Sequence, residues 1–126
     1  MKLLLAIAFG GAVGALGRHF VIAKVAALTG HGFPFGTLAA NVIGSFVMGV
    51  LVELMALAWS PSAELRAFLT VGVLGAFTTF SAFSLDVALL VERGQDFNAA
   101  LYVAASVCLS VGGLFAGMYL FRHVLS

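Results

Sequence analysis

Thr78, Thr79, Ser81 and Ser84 place four hydroxyls within seven positions of an otherwise apolar stretch, Gly75-Ala76-Phe77-Thr78-Thr79-Phe80-Ser81-Ala82-Phe83-Ser84. Phe77, Phe80 and Phe83 recur every third residue, so a helix would carry them as one aromatic edge. Thr37, Asn41 and Ser45 stand four apart, as do Tyr102, Ser106 and Ser110, which stacks each set on one helix face. Hydroxyls and an amide can replace hydrogen bonds lost from water, and a phenyl edge carries partial positive charge. A ring of Asp or Glu would suit a cation, and a ring of Lys or Arg would hold any anion. This inventory is almost free of fixed charge and suits a narrow path for a small, anionic solute. There is no nucleophile–base pair, metal-ligand cluster or phosphate loop, so an enzyme is not expected.

The chain around these residues reads as membrane protein. Of its 126 residues 63% are apolar and 9% charged, with a mean hydropathy of +1.17, far outside the range of soluble domains. Four apolar runs, about residues 3–23, 35–57, 67–91 and 99–121, each suffice to cross a ~30 Å hydrocarbon core as a helix. The expectation is an all-α protein with a single four-helix transmembrane domain over residues 1–126. Lys2 and the run Leu3–Phe9 have the outline of a signal peptide, but apolar character continues through Val21 and Ile22 to a spanning length. Gly72 and Gly75 loosen the backbone ahead of the hydroxyl cluster, so the third helix is expected to break mid-membrane. Freed carbonyls there must face protein or a cavity, because hydrocarbon offers them nothing.

In the first helix Ala6, Gly10, Gly14 and Gly17 form a small-residue face for close packing. Arg18 at its end either snorkels to the headgroups or faces a hydrated vestibule and draws anions inward. Asn41 lies deep in the second span, where it either bonds a neighbouring helix or donates to a passing solute. Asp86 is an interfacial carboxylate, an N-cap of a second half-helix, or a group at the pore mouth. Cys108 reads as a small apolar residue, and a net charge of +1 offers no surface for nucleic acid. Lys2, Arg66 and Arg122 fall on one side of the bilayer and Arg18, Lys24 and Arg93 towards the other. Such a balance gives the positive-inside rule nothing to act on, so the chain can insert either way and pair as an antiparallel dimer. Polar lines on three of four helices also call for more than one copy, since four helices seldom both enclose a pore and pack it.

The stretch Gly75 to Ser84 resembles the Gly-Gly-x-Thr-Thr-Phe-Ser-Thr-Phe signature of the small bacterial fluoride channels, the Fluc or CrcB family. Gly10-Gly11-Ala12-Val13-Gly14-Ala15-Leu16-Gly17-Arg18 is similar to that family's first-helix motif, and Gly36-Thr37-Leu38-Ala39-Ala40-Asn41-Val42-Ile43-Gly44 to its second. The resemblance implies a dual-topology homodimer in the bacterial inner (plasma) membrane, with two pores that export fluoride passively and confer fluoride resistance. It implies a fluoride pathway through Asn41, Phe80 and Phe83, joined by Thr79, Ser81, Tyr102, Ser106 and Ser110. It also implies one structural Na⁺ at the dimer centre, held by backbone carbonyls at positions corresponding to Gly75 and Thr78. The chain departs from the pattern at Ala76, Ala82 and Asp86, where the family has glycine, threonine and glutamate. A small multidrug exporter shares the helix count and dual topology, but that class needs a buried acid in the first helix and none is present. A non-transporting scaffold, with glycines and hydroxyls used for packing alone, is the other alternative.

Overall fold

In a bilayer each segment must satisfy its own backbone polar groups, so apolar runs of spanning length become helices. The computed structural model describes residues 1–125, and its elements are helical throughout. They are α1 (Lys2–Thr29), α2 (Phe35–Leu57), α3 (Ala63–Ala67), a π-helical segment (Phe68–Leu74), α4 (Gly75–Phe77), α5 (Phe80–Glu92) and α6 (Asp96–Leu125). The pieces from Ala63 to Glu92 follow one another as the third span. With it, four helices among the described residues are long and apolar enough to cross a membrane, and the protein is a multi-pass membrane protein.

Two helices outrun the lengths read from hydropathy. Nothing between Lys24 and Leu28 breaks a helix, so α1 continues to Thr29, where Gly30 at φ +83° turns the chain. The expected loop from Lys24 therefore shrinks to the few residues before Phe35. Asp96, outside the expected run of 99–121, opens α6, while Arg122 and His123 lie in its last turn; both placements suit the helix dipole.

The third span packs on α1 through backbone rather than side chains. A methyl group on Gly10 would strike the Phe68 carbonyl and lie 2.9 Å from the Gly72 Cα, and one on Gly14 would strike the Val73 carbonyl. The wider π turn presents these carbonyls to α1. Gly72, within that π turn, also serves close approach to Gly10. The α2–α6 seam is built alike: a methyl on Gly49 would meet the Leu114 carbonyl and one on Gly117 the Phe46 carbonyl.

Candidate functional site

The third span is interrupted at two residues. Thr78 (φ −88°, ψ 151°) and Thr79 (φ −149°, ψ 124°) are extended, between helical neighbours on both sides. Their hydrogen bonds account for the break. Thr78 donates both its amide (3.1 Å) and its hydroxyl (2.9 Å) to the Leu74 carbonyl, ending α4. The Thr79 hydroxyl accepts from the Ala82 amide at 3.1 Å and caps α5. The N-cap role weighed for Asp86 therefore belongs to Thr79. Asn41 on α2 takes the rest of Thr79: its Oδ1 accepts the Thr79 amide at 2.7 Å and its Nδ2 donates to the Thr79 carbonyl at 3.1 Å.

Two carbonyls lose their helical partners as a result. In an unbroken helix the Thr79 amide would serve Gly75 and the Ala82 amide would serve Thr78. Both amides are donated elsewhere. Gly75 and Thr78 are the positions expected to hold Na⁺, and freed carbonyls at a helix break are the ligands such an ion takes. The donor set fits. Among the described residues no group of three His, Cys, Asp or Glu offers an alternative metal site.

Beside the break lies a cleft of about 320 Å³. Asn41 and Ser45 line it from α2, Thr78 and Thr79 from the break, Phe80 and Phe83 from α5, and Ser106 and Ser110 from α6 with Val107 and Val111. None of these residues is charged. Phe80 and Phe83 pair at 5.4 Å between ring centroids. Phe83 is buried, whereas Phe80 is 78% exposed in the single protomer. The Ser106 hydroxyl is buried and has no partner among the described residues. A buried hydroxyl left alone costs about 1–3 kcal/mol, and this one borders the cleft.

The other expected residues fall around the cleft rather than in it. Phe77 lies before the break and packs between α1 and α2, where a methyl on Gly17 would sit 3.4 Å and one on Gly44 3.1 Å from its ring. The single aromatic edge read from spacing is therefore divided, and only Phe80 and Phe83 share the cleft. Ser81 is exposed, with its hydroxyl 3.2 Å from that of Thr79. Tyr102 is fully buried behind Phe83, at 5.1 Å between centroids, and its hydroxyl donates to Asp86 Oδ2 at 3.0 Å. On its far side Asp86 lines a second cavity of about 200 Å³ with His31 and Arg93. Tyr102 thus stands between Phe83 of the cleft and Asp86 of the second cavity. Arg18 is half-buried on α1 with its Nε unpartnered, and lines none of these cavities.

Sequence reasoning missed two features. Val107 and Val111 complete the cleft wall beside Ser106 and Ser110, and only their own i, i+4 spacing on the same helix could have found them. The buried Glu53 pairs with Arg122 at 2.7 Å, a contact that no pattern in the sequence joins.

Residues 5–118 match the family model described as CrcB-like protein, Camphor Resistance (CrcB). The chain is 59% identical over 126 residues to a protein of Rhodospirillum centenum, covering all of both chains. It is 52% identical to one of a Chelativorans species, covering 97% of this chain and 98% of the relative. A third, from Rhizobium etli, is 50% identical over 96% of this chain and 97% of its own length. All three bear the name fluoride-specific ion channel FluC. With a family model matched across nearly its whole length and relatives this similar from end to end, the chain belongs to the CrcB-like family.

Proposed function

We propose that the protein is a fluoride-selective channel that lets F⁻ leave the cell passively across the bacterial inner membrane. One observation carries the reading: a cleft lined by an amide, hydroxyls and two phenyl rings, with no charged side chain. A fixed Lys or Arg there would bind an anion too firmly to release it. Fluoride enters instead between groups that each offer a little. The Phe80 and Phe83 edges present partial positive charge, Ser106 and Ser110 present hydroxyl donors, and Asn41 Nδ2 keeps a second hydrogen beyond the one given to Thr79. In this reading Tyr102 and Asp86 then lead towards the second cavity beside His31 and Arg93. The relatives' shared name supports fluoride as the ion.

The working unit in this reading is an antiparallel, dual-topology homodimer with two pores. Gly75 is exposed in the single protomer, and its carbonyl has lost its helical amide. Hydrocarbon cannot satisfy such a group, so a second copy and a bound ion are the natural cover. Gly75 and Thr78 of each copy would hold one structural Na⁺, which supplies positive charge at the centre and keeps the two breaks together. The exposed Phe80 would likewise be covered by the partner. Anion efflux from liposomes holding the purified protein tests the function, and cross-linking of the reconstituted protein tests the dimer.

A further inference from the structure

We infer that Asn41 is the positioning residue that opens the third span, tying the anion cleft to the cation site; this rests on the reading above, in which Gly75 and Thr78 hold Na⁺. A primary amide offers a donor and an acceptor in the geometry of a peptide group, and Asn41 uses both on the Thr79 backbone, at 3.1 and 2.7 Å. It thereby replaces across two helices the bond that Thr79 would otherwise make within its own. Without Asn41 the Thr79 amide would be unpaired in the membrane, and the acceptor in reach along its helix is the Gly75 carbonyl. Closing that bond removes one of the two oxygens the protomer offers the cation. Conversely, a cation on Gly75 keeps Thr79 available to Asn41 and so fixes the amide that lines the cleft. Linkage makes the coupling reciprocal: what orders one site orders the other.

Ser106 and Ser110 line the same cleft from α6, yet neither bonds to the break. They separate the two roles. An effect on the anion path alone appears at the serines, whereas an effect carried through the break appears at Asn41 and not at the serines.

The experiment is a thermal-unfolding titration with NaCl, using the full-length dimer purified throughout in N-methyl-D-glucamine. Wild type and Ser106→Ala are expected to gain stability at the same Na⁺ concentration. Asn41→Ala is expected to need about tenfold more Na⁺ or beyond, within the usual range of coupling between sites. Asn41→Asp keeps an acceptor for the Thr79 amide and is expected to stay within about threefold of wild type, although its anion flux falls. If the alanine variant does not fold, Asn41→Ser replaces it, being too short to reach Thr79 but able to satisfy its hydroxyl on its own helix. A loss variant that titrates with Na⁺ as wild type does overturns the inference, leaving Asn41 to the anion alone. A wild type whose stability ignores Na⁺ overturns the cation site and this inference together, while fluoride efflux remains to be judged separately.

Discussion

Arg122 Nη2 donates to Glu53 Oε1 at 2.7 Å and so closes the C-terminal end of the α2–α6 seam across 69 residues of sequence. Glu53 is 5% exposed, while half of the Arg122 side chain remains open and packs over the Tyr119 ring at 5.0 Å. Removing one member of a buried pair leaves an uncompensated charge, whereas replacing both does not. Arg122→Ala is therefore expected to lower the melting temperature more than the double substitution Glu53→Gln with Arg122→Ala. A double-mutant cycle followed by thermal unfolding in detergent checks this. Strict additivity would show that the pair does not couple the helices.

The same seam depends on absent side chains. Gly49→Ala and Gly117→Ala each force a methyl against a carbonyl of the facing helix, at Leu114 and Phe46. Overpacking of this kind costs roughly 1–3 kcal/mol. Both variants are expected to unfold at lower temperature, and a melting temperature at or above wild type would contradict the close contact.

Stability and transport should part company at Ser106. Its hydroxyl is buried and unpartnered, so Ser106→Ala removes a polar group the fold does not use and leaves thermal stability unchanged or slightly raised. A hydrogen bond to a charged group is worth about 1.5–3 kcal/mol, so fluoride flux is expected to fall roughly tenfold or more. A variant that loses stability but keeps its flux would return Ser106 to a packing role.

Phe80 and Phe83 separate the channel from a scaffold in the same way. Phe80→Ile keeps apolar bulk but removes the ring edge, so flux is expected to fall while the dimer persists on size-exclusion chromatography. A dimer with undiminished fluoride flux would show that the ring edge contributes nothing to conduction.

The four spans were legible because hydropathy and spanning length are properties of single segments. The cleft was legible in outline for a related reason: Asn41 with Ser45, and Ser106 with Ser110, share helix faces by spacing alone. What spacing could not show was partner choice across helices. Asn41 could be read as a helix-to-helix bond or a ligand group, and its pairing with both backbone groups of Thr79 depends on the tertiary approach of α2 to the break. Phe77 was misjudged because a period-three pattern assumes a continuous helix, and the break falls between it and Phe80. The π turn escaped for want of any local signal, since Gly72 reads only as loosening the backbone and its close contact with Gly10 depends on tertiary packing. Glu53 and Arg122 lie too far apart in sequence for any pattern to join them.

Fluoride movement is the central claim, and efflux from liposomes tests it most directly. Purified protein is reconstituted into vesicles loaded with potassium fluoride, or with potassium chloride as control, and valinomycin is added to carry K⁺ out. The expected result is rapid fluoride loss on a fluoride electrode with chloride retained. Equal loss of both ions, or no loss of either from protein shown to be reconstituted and dimeric, would contradict a fluoride-selective channel.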